Sequence, residues 1–127
     1  MQINFFDDPA QQPKSREDVR IKQIGIFVHE DGRKISFGLE LTPFLERPSI
    51  QVDISNGLDE PAGALTVIES MTPNFSLIIH LRDEELSDPY ELLAIIYYAT
   101  PETDPVKVDS QRVSFAAAVP GEKIYSF

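Results

Sequence analysis

The sequence predicts an all-β fold, an antiparallel β-sandwich of about seven strands, and three observations point to it. Apolar and polar residues alternate with a period of two in several segments spread along the chain. Turn-forming residues recur between these segments at a spacing of about ten residues. No amphipathic helical stretch intervenes, as an α/β fold would require.

Residues 7–18, DDPAQQPKSRED, are polar and carry two prolines. They read as part of a flexible N-terminal arm over residues 1–18, with Ile3, Phe5 and Phe6 available to dock it on the body. The sandwich domain is expected over 19–119, followed by a C-terminal tail over 120–127. RIKQIGIFV (20–28) is rich in β-branched residues, and EDGR (30–33) carries the Asp-Gly signal of a tight hairpin. KISFGLELT (34–42) alternates strictly, with Ile35, Phe37, Leu39 and Leu41 on one face. PFLERP (43–48) predicts a corner. SIQVDIS (49–55) turns Ile50, Val52 and Ile54 inward and is broken by Asn56-Gly57. ALTVIES (64–70) and FSLIIHLR (75–82) follow, the latter with Phe75, Leu77, Ile79 and Leu81 together. ATPETDP (99–105) reads as a turn, and RVSFAAAV (112–119) as the last strand, grouping Val113, Phe115, Ala117 and Val119.

DPYELLAIIYYAT (88–100) admits two readings. Asp88 as N-cap, Pro89 in the first helical position and Glu91 in the third would start a helix. That helix would be apolar on all sides, which a domain of this size has no room to bury. As a strand the segment sends Tyr90, Leu92, Ala94, Ile96 and Tyr98 to one face and Glu91, Leu93, Ile95 and Tyr97 to the other. Its β-branched and aromatic content favours the strand.

The run FSLIIHLRDEELSDPYELLAIIYYAT resembles strands E and F of an immunoglobulin-like or fibronectin-III-like sandwich. In that pattern an inward-alternating strand ends in a Leu-containing corner and a tyrosine opens the next strand. The resemblance implies that the Tyr90 hydroxyl bonds the backbone just upstream. The segments ELTPFLERPSIQVDISNG and TVIESMTPNFSLIIHLR also resemble small bacterial proteins of this sandwich type, which implies no activity. The cysteine pair and core tryptophan of antibody-type domains are missing, since the chain has no Cys and no Trp.

The chain has 127 residues, enough for one domain with a real core. Its net charge of −10 opposes binding to nucleic-acid phosphates and to anionic lipid. Without cysteine, neither a disulfide framework nor a thiolate metal site can form. The start lacks a basic and an apolar leader region, and no apolar run approaches the ~20 residues that span a bilayer, so a cytoplasmic location is expected.

Chemistry has few candidates. His29 and His80 have no second ligand at metal spacing and read as surface histidines. No nucleophile elbow, S-x-x-K motif or phosphate-cradling glycine loop occurs, so no catalytic residue and no cofactor are expected. Asp83, Glu84, Glu85 and Asp88 form the densest acidic cluster. Loop carboxylates of this kind can bind Ca²⁺ through oxygen, and a Ca²⁺- or small-ligand-binding sandwich is the alternative function. The plainer expectation is that acidic loops keep a β-protein soluble.

The informative feature is the second face of the 88–100 strand. With Leu92, Ala94 and Ile96 in the core, Leu93, Ile95 and Tyr97 point away from it. Burying three such side chains is worth on the order of 5–8 kcal/mol, so a cover is expected. The chain's own ends or a second subunit would provide it, and small residues at Ala116 and Ala118 on the neighbouring strand would permit close approach. The expected function is a non-catalytic protein-interaction or assembly module, homodimeric in its sharper form.

Overall fold

The computed structural model describes residues 12–118, 121 and 123–126. Within them lie eight strands: β1 (Ile21–Val28), β2 (Lys34–Leu41), β3 (Ser49–Ser55), β4 (Pro61–Val67), β5 (Asn74–His80), β6 (Tyr90–Thr100), β7 (Thr103–Phe115) and β8 (Lys123–Ser126). They form two four-stranded antiparallel sheets, ordered β5-β2-β1-β8 and β4-β3-β6-β7. The protein is an all-β sandwich. Seven strands fall inside residues 19–119, and the eighth comes from the segment read as a tail, whose backbone pairs with β1 from Ile24 opposite Ser126 to Phe27 opposite Lys123.

The alternation dictates the layers. Ile24, Ile26, Val28, Ile35, Phe37, Leu39 and Leu41 face inward from the first sheet. Ile50, Val52, Ile54, Leu92, Ala94, Ile96, Val113 and Phe115 face them from the second. Each of these side chains larger than alanine stabilises the fold by about 1.5–3 kcal/mol when fully buried.

The β1–β2 hairpin closes where the Asp-Gly signal stands, with His29 N–H donating to the Lys34 carbonyl at 3.0 Å. Gly32 sits at φ +66°, and a Cβ there would lie 3.0 Å from both the Ala117 carbonyl oxygen and Leu86 Cδ1. Only glycine fits without strain. The stretch 88–100 is extended, as its composition favours, and the Asp88–Pro89 peptide bond is cis.

Several boundaries differ from expectation, and β4 ends at Val67, short of the expected Ser70, as β7 ends at Phe115. β4 begins at Pro61 rather than Ala64. β7 begins at Thr103, so the stretch read as a broad turn is a two-residue hairpin tip between Thr100 and Thr103, whose hydroxyls lie 2.8 Å apart. Proline at 105 and a β-bulge near Val108 hide the alternation there, because a bulge shifts the phase of every residue beyond it.

The described part of the arm is docked. Lys14 N–H donates to the Pro43 carbonyl at 2.8 Å, and Leu45 N–H donates to the Lys14 carbonyl at 2.9 Å. A single 3-10 turn, Arg16–Asp18, then leads into the fully buried Val19. Ile3, Phe5 and Phe6 lie outside the described residues, as does Val119.

Candidate functional site

The outer face of the β4-β3-β6-β7 sheet holds the apolar stripe that the alternation predicts. Leu93, Ile95 and Tyr97 project from β6 and are half-buried. Register supplies their neighbours. Leu93 lies between Asp53 and Arg112, Ile95 between Gln51 and Ser110, and Tyr97 between Ser49 and Lys107. An inner strand is shielded by side chains on both sides, so the exposed apolar area is smaller than the sequence alone suggests.

Ala116 and Ala118 do not extend this stripe. β7 ends at Phe115, and the register sets Arg112 and Ser110, not the alanines, beside Leu93 and Ile95. The chain leaves the strand because Asp88 captures it, its carboxylate accepting the N–H groups of Ala117 at 2.7 Å and Ala118 at 3.1 Å. Nor does the C-terminal strand cover the stripe, since β8 joins the edge of the opposite sheet.

The acidic cluster is a structural corner. Tyr90 is fully buried and stacks on Phe115 at 5.5 Å. Its hydroxyl accepts the Ser87 N–H at 3.0 Å and donates to Asp83 Oδ2 at 2.7 Å, which gives the upstream backbone bond expected of the corner tyrosine. Asn56 Nδ2 donates to the same carboxylate oxygen at 3.1 Å. The backbone carbonyls of Asp83 and Glu84 accept from the Arg33 guanidinium. Asp83 and Asp88 thus spend their carboxylates on protein donors at separate points of the corner, while Glu84 and Glu85 point to solvent. Among the described residues no three acidic or histidine side chains converge on a metal-sized site, so Asp83, Glu84, Glu85 and Asp88 are not brought together as ligands.

The histidines are equally unpromising for chemistry. His29 Nε2 lies 2.8 Å from Ser36 Oγ and its ring meets Phe27 edge-on, whereas His80 is exposed on β5.

A cleft of about 420 Å³ escapes the sequence reading. It lies between the 3-10 turn and the β6–β7 hairpin and is lined by Arg16, Glu17, Tyr98, Val106, Lys107 and Val108. Tyr98 forms its floor and donates to the Glu46 carbonyl at 2.9 Å, with the Arg16 guanidinium 5.1 Å above the ring centroid. Apolar Val106 and Val108 were the available signal, masked by Pro105 and the bulge.

Burial raises the pKa of both Tyr90 and Tyr98 above the ordinary value of 10.0, reinforced by Asp83 at the first and Glu46 at the second. The folded state therefore holds these protons more tightly than the unfolded chain. Their contribution is complete below pH 10 and is lost as pH rises through the folded-state values. Stability should fall above about pH 10, and the Y90F/Y98F double variant should flatten that decline in urea titrations run from pH 8 to 11.5. An unaltered alkaline slope would refute the assignment.

The outer face of the first sheet carries Phe27 and Ile78 beside a polar patch. Gly25 faces Gly38, and Gln23, Glu40, Asn74 and Ser76 surround a trough of about 290 Å³. Among the described residues no helix is long and apolar enough to cross a membrane.

No protein-family profile matches the chain, and no curated protein matches it. Among solved structures it is similar to Bifidobacterium dentium β-glucuronidase in complex with coumarin-3-O-glucuronide, with a TM-score of 0.55 and 18% identity. The match covers 79% of this chain but only 18% of that enzyme. At this identity the likeness is one of fold alone, a β-sandwich that corresponds to a small part of a much longer protein.

Proposed function

We propose that the chain is a non-catalytic interaction module of immunoglobulin-like or fibronectin-III-like type, which self-associates through the outer face of the β4-β3-β6-β7 sheet. The buried Tyr90 at the opening of β6 and its hydroxyl bond to Ser87 support the family type.

The observation that carries the functional reading is the half-buried stripe Leu93, Ile95 and Tyr97 on an inner strand of this sheet. Antiparallel sheets that face water are normally polar there. Charge agrees. Asp53 and Glu91 are matched by Lys107 and Arg112, so the sheet face sums to 2 − 2 = 0 on a chain of net charge −10. A second copy would meet no net repulsion.

Four strands and seven residues give a face of roughly 19 by 24 Å, about 450 Å² in plan. Stable interfaces take about 800 Å² from each partner. The contact is therefore a weak, reversible one. Sedimentation at sub-millimolar concentration should detect species heavier than the 14.3 kDa chain, and Ile95→Asp should halve their mass. Wild-type mass retained in Ile95→Asp, with folding intact by circular dichroism, would reject this face as the contact.

A further inference from the structure

The two lateral sides of the sandwich differ in charge. On one side the edge strand β7, beside β8, carries Asp104, Lys107, Asp109 and Arg112. On the other side the edge strands β4 (PAGALTV) and β5 (NFSLIIH) have no Asp, Glu, Lys or Arg in fourteen residues. Charged residues make up 25% of the chain, so three or four would be expected there. Edges left without charge are open to pairing with another strand.

Exposed apolar residues gather on the same side. Ile68 is 68% exposed, Met71 75%, Leu77 38% and Ile78 56%.

The two uncharged edges are not equally open. Arg82 N–H donates to the Ala62 carbonyl at 2.8 Å, which engages the start of β4 and closes the His80 end of β5. The remaining edge of β5, Asn74 to Ile78, is free of any described strand. Leu41 N–H donates to the Pro73 carbonyl and Leu81 N–H to the Arg33 carbonyl. Odd-numbered residues of β5 therefore bond β2, and the backbone groups of Asn74, Ser76 and Ile78 point outward by the antiparallel alternation.

We propose that β5 pairs antiparallel with β5 of a second copy over Asn74–Ile78, joining two four-stranded sheets into one of eight strands. A two-fold contact demands that each residue tolerate its own kind opposite or nearby. Asn74, Phe75, Ser76, Leu77 and Ile78 satisfy that demand, because none is charged. Pairing supplies partners for the outward N–H and C=O groups and shelters Leu77 and Ile78 of both copies. This contact is separate from the β6 face and does not depend on it.

Two variants and two readouts test it. Ser76→Pro removes an N–H that the β2 ladder does not use, as edge strands tolerate. Ile78→Lys keeps the backbone but sets charge at the contact. Each should lower the sedimenting mass, while Ile95→Asp should leave this contact in place. Amide exchange by NMR gives the independent readout: in the wild type the Ser76 N–H should exchange about tenfold slower or more than in Ile78→Lys. Ser76 amide protection that persists in Ile95→Asp, together with mass loss in Ile78→Lys, supports edge pairing whatever the fate of the β6 face. Fast exchange of the Ser76 and Ile78 amides in concentrated wild type, or an Ile78→Lys species as heavy as wild type, overturns it.

Discussion

Replacing Tyr90 by alanine should lower the unfolding free energy by about 3–5 kcal/mol, and replacing it by phenylalanine by about 1–3 kcal/mol. The two values separate two roles. The ring is fully buried and stacks on Phe115, so its loss leaves a cavity at the junction of β6 and β7. The hydroxyl joins the Ser87 N–H to Asp83, which also receives Asn56. Removing it strands the Ser87 donor and withdraws one donor from a half-buried carboxylate. Urea unfolding should show both losses as shifts in midpoint at constant slope. If Tyr90→Phe matches the wild type, the corner is held by ring packing alone.

Gly57→Ala should be nearly as damaging, at about 2–4 kcal/mol, or a fall in Tm of about 10 °C for a chain of this size. A Cβ on Gly57 would stand 2.5 Å from the Asp88 carbonyl oxygen and 2.9 Å from its carbon. These are backbone atoms and cannot rotate aside. The Gly57 N–H also donates to the Ser87 carbonyl at 2.6 Å, so separating the two loops breaks that bond as well. Asp88 resists the movement because its carboxylate holds Ala117 and Ala118. Leu58→Ala, one residue away and 71% exposed, should change stability by less than about 0.5 kcal/mol. Equal melting of Gly57→Ala and Leu58→Ala would show that the corner yields easily.

Both positions are visible in the sequence for different reasons. Asn56-Gly57 stands out as the break after SIQVDIS, although nothing local says that another loop presses on it. Tyr90 stands out through its place after the Leu86 corner. Its partner Asp83 reads locally as one acid in a cluster, and only folding assigns it a donor. Four acids within six residues look alike in sequence, but the corner gives Asp83 and Asp88 separate hydrogen-bonded duties.

The sequence alone determined the class of fold, the inward face of nearly every strand and the extended state of residues 90–98, because a period of two is a local property that survives without knowledge of partners. It also determined that Leu93, Ile95 and Tyr97 face away from the core. Tertiary structure decided what lies beside them. Pairing β6 with β3 and β7 joins residues far apart in the chain, and the register of the β6–β7 hairpin sets Ser110 and Arg112, rather than the later alanines, against the stripe. The open edge of β5 was decided in the same way, since an edge exists only once the order of strands in the sheet is fixed.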